Sequence, residues 1–236
     1  MTWKLVSFCL CLIVLSACGS RDRPKDSSQS VAPGINDRYA TEQGRETTVK
    51  ILEGEDRDSY QKPDKVVQNM ALKSGDVVCE IGAGTGYFTP FLSKAVGETG
   101  KVYAEDPQAE FLDRLKQKKE QQRLLNVEIV RGTYTDTNIP DRACDVTFVL
   151  DAYHHFEWPK PMLDAMKGDT KPDGRLVVVD WYRRPNPVFD KWKIDVMKHF
   201  RLDRDGVVDE IEAHGWDHIE TREFLDNQYF VVFKPR

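Results

Sequence analysis

Cysteine is scarce and poorly placed for a scaffold. Three of the five cysteines, Cys9, Cys11 and Cys18, lie in the first apolar segment, which leaves Cys79 and Cys144 for the rest of the chain. There is no C-x-x-C pair and no Cys/His spacing of the zinc type, so neither a zinc ribbon nor a disulfide-stapled miniprotein is expected, and no metal site. Cys79 and Cys144 then read as small buried apolar residues. A surplus of basic charge is also missing. Lys and Arg number 34 against 39 Asp and Glu, a net charge of −5, and nucleic-acid modules usually carry a basic face. No nucleic-acid partner is expected. The main apolar run, Leu5 to Leu15, is too short to cross a bilayer comfortably.

What is present suits one α/β domain. The chain has 236 residues, 40% hydrophobic and 31% charged, enough for a sizeable single core. Residues 1–18 form a separate object. Lys4 precedes the apolar run, and Leu15-Ser16-Ala17-Cys18 resembles the bacterial lipobox. That resemblance implies a lipoprotein signal peptide, lipidation at Cys18 and a membrane-anchored, periplasm-facing protein, on the outer membrane if the cell is Gram-negative. Residues 19–36 are rich in Ser, Pro, Asp and Arg and are expected to be a flexible tether. The domain proper is expected over 37–236. It opens with an irregular cover to Asp58, in which Tyr39, Val49, Ile51 and Leu52 are available to pack on the domain.

Everything else is organised around Val77-Val78-Cys79-Glu80-Ile81-Gly82-Ala83-Gly84-Thr85-Gly86-Tyr87-Phe88. A continuous apolar run suits a parallel strand covered on both faces. The glycines permit backbone angles and close ligand approach that a β-carbon would forbid. The helix that follows would turn free N–H groups toward a ligand. A dinucleotide fingerprint needs a third glycine where this chain has Tyr87, which disfavours an NAD-linked oxidoreductase. The pattern is G-x-G-x-G, with Glu80 two residues ahead of it.

The remaining chain alternates strand and helix. A helical stripe starts at Pro63, and helices carrying Phe88, Leu92, Phe111, Leu112, Leu115 and Leu125 on their buried sides flank a strand over Lys101–Asp106. Further strands are expected at Val127–Val130, Asp145–Leu150 and Leu176–Asp180, the last after a turn at Lys171–Arg175. Phe189, Trp192, Val196 and Phe200 recur at helical spacing. Ile219–Leu225 and Gln228–Phe233 read as a closing hairpin. Alternating units imply a parallel sheet with right-handed crossovers.

Together, Glu80 to Thr89, Val102-Tyr103-Ala104-Glu105-Asp106, Asp151-Ala152-Tyr153-His154-His155-Phe156 and Lys171 to Leu176 resemble a bacterial group of class I S-adenosylmethionine-dependent methyltransferases with a Y-H-H-F segment. The resemblance runs from about Arg57 to the C-terminus. It implies a Rossmann-like, doubly wound, mostly parallel seven-stranded α/β sheet ending in an antiparallel hairpin. It implies S-adenosyl-L-methionine as cofactor. Gly82, Ala83, Gly84, Thr85 and Gly86 would approach its methionine portion, and Glu80 would support the loop or meet the ammonium. Asp106 would hold the ribose, Asp136 would lie near the adenine, and Asp151 would contact the methionine portion or the substrate. His154 and His155 are the candidate bases, with Asp151 beside them and His199 as an outsider, because imidazole titrates near neutral pH. Tyr153 is expected only to pack. The implied activity is methyl transfer to an unidentified small-molecule or envelope acceptor. The alternative is an exported, non-catalytic binding protein that keeps the fold and an adenosine-ligand pocket, because the cofactor is made inside the cell and the lipobox points outside.

Overall fold

The computed structural model describes residues 30–236; the signal-peptide and Cys18 expectations lie outside the described residues. Five strands run parallel: β1 (Val77–Ile81), β2 (Lys101–Asp106), β3 (Val127–Arg131), β4 (Cys144–Leu150) and β5 (Thr170–Trp181). The closing pair, β6 (Trp216–Arg222) and β7 (Gln228–Pro235), is antiparallel, and β7 lies between β5 and β6. The sheet order is β3-β2-β1-β4-β5-β7-β6. Strand order reverses between β1 and β4, the place where open α/β sheets leave a crevice at the carboxyl ends of their strands. This is the seven-stranded mixed sheet expected from the sequence.

Two apolar layers sandwich the sheet because side chains alternate along each strand. Val78, Val102, Phe148, Val177 and Phe230 face one way, under α3 (Pro63–Met70), α4 (Thr89–Val96) and α5 (Ala109–Gln122). Ile81, Val149, Val178, Val231 and Phe233 face the other, against α6 (Pro159–Asp169) and α9 (Arg204–Ala213). A third cluster sits at the carboxyl ends of the strands. There Trp181 packs with Phe189 of α7 (Pro187–Trp192), Val196 of α8 (Val196–His199) and Phe200 just after α8. The periodic aromatics of this segment are therefore split over two short helices, and they wall the crevice.

Several expectations are corrected. Cys79 and Cys144 are not separate buried residues but a disulfide, with Cα atoms 5.8 Å apart and a sequence separation of 65. The strand order places β4 directly beside β1, and no local pattern announces that neighbour. The cover over residues 37–58 is helical. It holds a 3-10 turn at Asp37–Ala40, α1 (Glu42–Leu52) capped by the Thr41 hydroxyl, and α2 (Arg57–Gln61). The chain packs onto the domain before residue 37, because buried Asn36 donates to His155 O at 2.9 Å and to Glu157 Oε1 at 3.2 Å. Leu125 is exposed; α5 stops at Gln122, Arg123 turns with φ +54°, and Leu124 takes the place against the core. The turn expected at Lys171–Arg175 is a bulge within β5, where the register jumps from Cys144↔Thr170 to Val146↔Arg175.

Candidate active site

The carboxyl ends of β1, β2, β4 and β5 open into one cavity roofed by the N-terminal cover and by α7 and α8. Its floor is the glycine turn. Gly82 and Gly84 adopt φ of +73° and +58°, a region that glycine enters without a steric penalty. A β-carbon on Gly82 would stand 2.6 Å from the Ala152 Cβ, and one on Gly84 would stand 3.1 Å from Leu52 Cδ1. Gly86 serves packing instead. It lies off the cavity, and a β-carbon there would meet Leu115 Cδ1 at 2.2 Å. Thr85 is buried beneath the turn, also off the cavity, and its hydroxyl has no hydrogen-bond partner.

The acids expected near the turn hold its backbone. Asp106 accepts from Gly84 N at 2.9 Å and from Gln108 N at 2.8 Å. Gly82 N donates to Glu105 Oε2 at 3.3 Å. A carboxylate has about four lone-pair directions, so Asp106 keeps acceptor capacity for a ligand hydroxyl on the cavity side. Glu80 receives the Thr89 hydroxyl at 2.6 Å and so ties β1 to the start of α4. Burial pushes its carboxyl up to about 7 against that hydrogen bond, and pushes Asp106 up to about 6 against its backbone donors. Glu105, buried beside Asp106, is raised well above the usual range, and its Oε1 has no partner.

Asp151 closes β4 with φ +53°, an uncommon backbone state for a residue other than glycine. Its side chain lies 3.5 Å from the buried Arg57 guanidinium and accepts from Gln228. Burial raises its carboxyl to about 7, with Arg57 pulling the other way. Arg57 also lies over the Tyr87 ring, 4.0 Å from its centroid, and Tyr87 donates to Asp58. Asp136 is set apart. It is exposed, lies off the cavity and caps its own turn through Asn138 N at 3.0 Å. The structure therefore does not place it near a cofactor in the cavity, and Thr133 and Tyr134 line that end instead. Tyr134 is held by Gln108 Nε2 at 2.6 Å.

Three histidines stand across the cavity from the glycine turn. His154 and His155 come from a 3-10 turn after β4, and His199 from the end of α8. The His154 Nδ1 lies 2.9 Å and 3.0 Å from the two oxygens of Asp180, which closes β5 and is 1% exposed. His155 Nδ1 lies 3.0 Å from Asn36 Oδ1, and its Nε2 lies 3.3 Å from the Tyr39 hydroxyl. Burial holds His155 well below the ordinary imidazole range and takes His199 down to about 3. Tyr153 packs, as expected, with its hydroxyl on Glu210 at 2.8 Å. The sequence offered no signal for Asp180 as His154's partner, nor for Asn36 and Tyr39 as partners of His155. Arg57 stands at the start of the resemblance, where no local pattern marks it as a site residue.

The cavity suits a molecule that carries an ammonium or sulfonium charge, a ribose and a carboxylate. Glu80, Asp106 and Asp151 supply anionic oxygen, Arg57 supplies a cation, and Gly82 and Gly84 leave room for close approach. The comparisons agree. Residues 79–178 match the family model described as methyltransferase domain. The chain is 27% identical over 114 residues to the demethylmenaquinone methyltransferase of Oceanobacillus iheyensis, covering 48% of each chain. It is 28% identical over 131 residues to the ubiquinone/menaquinone biosynthesis C-methyltransferase UbiE of Pseudomonas syringae pv. syringae, covering 53% of this chain and 49% of that one. The chain thus spans about half the length of these relatives. A solved structure of a SAM-dependent methyltransferase from Aquifex aeolicus superposes with a TM-score of 0.74 at 27% identity, over 80% of this chain and 97% of that one. The chain has the class I methyltransferase fold, and its domain match and relatives are similar to S-adenosylmethionine-dependent methyltransferases, which implies S-adenosylmethionine as the cofactor.

Proposed function

We propose that this chain transfers a methyl group to a small, apolar, ring-bearing acceptor. The observation that carries this reading is the two-sided cavity. One side has the glycine turn and its acids; the other has the histidines and an apolar wall from Trp181, Phe189, Trp192 and Ile194. When bound, S-adenosylmethionine supplies a methyl group on a positively charged sulfur that departs as a thioether. Gly82, Ala83 and Gly84 receive its methionine portion, Arg57 pairs with its carboxylate, and Asp106 accepts from its ribose. Asp151 at the seam orients Arg57. His154 presents Nε2 to the acceptor because Asp180 engages Nδ1, and that lone pair takes the acceptor's proton. Two relatives are named for quinone methylation, and an acceptor of that ring type suits the aromatic wall. Positioning carries much of the rate, since a well-aligned pair gains about 7–11 kcal/mol over free encounter.

The Cys79–Cys144 disulfide supports an oxidising compartment, in line with the lipobox reading of Cys18. We place the enzyme on a lipid anchor at Cys18, periplasm-facing. Calorimetric titration of the full chain with S-adenosylmethionine and S-adenosylhomocysteine tests the cofactor site. Micromolar affinity, about −8 kcal/mol, lost in Gly84→Arg, is expected; unchanged affinity in that variant overturns the assignment. Product analysis with reduced quinones then tests the acceptor.

A further inference from the structure

The three histidines are arranged beyond what a single proton acceptor needs. One ligand nitrogen from each of His154, His155 and His199 lies within 4.8 Å of the other two. The ring centroids are 4.2, 5.1 and 5.6 Å apart. Two of the rings are oriented by outer partners in the manner of metal-bound imidazoles. Asp180 grips His154 Nδ1 and also accepts the backbone N–H groups of His154 at 3.1 Å and Trp181 at 2.8 Å. Asn36 Oδ1 meets His155 Nδ1. Asp180 therefore leaves Nε2 of His154 free, while Nε2 of His155 lies 3.3 Å from the Tyr39 hydroxyl, which must rotate away for that nitrogen to bind an ion. No hydrogen bond reaches the His199 ring among the described residues, although the ring is largely enclosed.

We propose that His154, His155 and His199 form a three-imidazole site for a divalent transition-metal ion on the acceptor side of the cavity. Zinc–nitrogen bonds of about 2.0–2.1 Å put tetrahedral ligands about 3.4 Å apart, so nitrogens that lie within 4.8 Å of one another need to close by up to about 1.4 Å. The helix carrying His199 is a single turn, and side-chain rotation about its end supplies that movement. An all-imidazole set selects zinc, cobalt, nickel or ferrous iron, whereas magnesium and calcium favour oxygen ligands. Three protein ligands would leave a further position for water or an acceptor atom. The site's location rests on these residues alone. Its use rests on the proposed methyl transfer, in which the ion would polarise an acceptor oxygen and the acceptor's proton would pass to water rather than to His154.

The test uses the untagged full chain, stripped with a chelator and titrated with Co²⁺ alone, then with Zn²⁺ in competition. Expected are one ion per chain, visible ligand-field absorption from cobalt, and at least tenfold weaker binding in His199→Ala. Asp180→Asn should weaken binding by about 10–100-fold, as loss of an outer partner does. The double variant His214→Ala, His218→Ala should bind as the parent does. S-adenosylhomocysteine titration of the same samples reports the cofactor site, and circular dichroism reports folding. A folded chain that takes up no cobalt, or binds it equally well in His199→Ala, overturns the proposal. Metal binding without cofactor binding leaves this site standing and removes the proposed methyl transfer.

Discussion

His154 Nδ1 sits 2.9 Å from Asp180 Oδ1, and Asp180 is 1% exposed. The pair joins the loop after β4 to the end of β5, and it fixes which nitrogen of His154 faces the cavity. Asp180→Asn keeps the volume but presents either an oxygen or an N–H₂ group to Nδ1, which upsets the tautomer. Turnover is expected to fall by about 10²-fold or more, within the range seen when such orienting carboxylates are removed, with S-adenosylhomocysteine affinity changed less than threefold, a margin of about 0.6 kcal/mol. Parallel steady-state and calorimetric measurements check this. Equal loss of both would make Asp180 a purely structural residue.

Asp106 holds Gly84 N and lines the cavity where the ribose is proposed to sit. Asp106→Ala removes both roles. Cofactor affinity is expected to drop at least tenfold, about 1.4 kcal/mol, while the far-ultraviolet dichroism stays that of the parent. Retained affinity would move the ribose elsewhere in the cavity.

The raised carboxyls of Glu80, about 7, and Asp106, about 6, give a pH signature. Glu80 faces Thr89, Lys118, Arg57 and Asp106; Asp106 faces Gly84 N and Gln108 N. From the ordinary carboxylate range up to about 7, the folded chain keeps protons that the unfolded chain has released. The contribution of these two carboxyls to stability without ligand therefore falls as pH rises through that window, while His155 and His199, held neutral by burial, act in the opposite sense below about 6.5. A cation-bearing ligand favours the ionised forms, so its binding near pH 6.5 should release protons. Thermal melts of the parent and of Glu80→Gln at pH 5.5 and 7.5 test the first part, the variant losing part of the parent's pH dependence, and calorimetry in buffers of different ionisation enthalpy tests the second. Proton uptake on binding would contradict the assignment.

The disulfide encloses a long loop, with 65 residues of separation. Loop-closure entropy sets its worth at about 4 kcal/mol. Full reduction, or Cys79→Ala with Cys144→Ala, is expected to lower the denaturant midpoint by a corresponding amount. Peptide mapping without reductant should recover the Cys79 and Cys144 peptides joined. Recovery of both as free thiols from freshly folded protein would remove the pairing and its support for an oxidising compartment.

Gly86 carries φ +76°, and any β-carbon there meets Leu115. Gly86→Ala should cost about 1–3 kcal/mol, from backbone strain plus overpacking, with cofactor affinity little changed because the residue lies off the cavity. A melt and a titration on one sample separate the two effects.

Much of the architecture was legible along the chain because its causes are local. Buried parallel strands read as apolar runs, glycine turns declare themselves, and strand–helix alternation restricts the topology. Val77 to Gly84 led directly to the site, and so did Asp106 at the end of the next strand. The sequence alone thus determined the class of fold, the floor of the cavity and the place of His154 and His155 after the fourth strand. Tertiary structure decided the rest. Strand order set Cys79 beside Cys144 and Asp180 beside His154, neighbours separated by 65 and 26 residues. Packing of Trp181, Phe189, Val196 and Phe200 brought His199 to the other two histidines, and hydrogen bonds hold Asn36 and Tyr39 against His155. It also left Asp136 outside, because a short turn capped by its own side chain satisfies that carboxylate at the surface. Contacts between distant segments arise from which faces bury against each other, and no window of sequence carries that information.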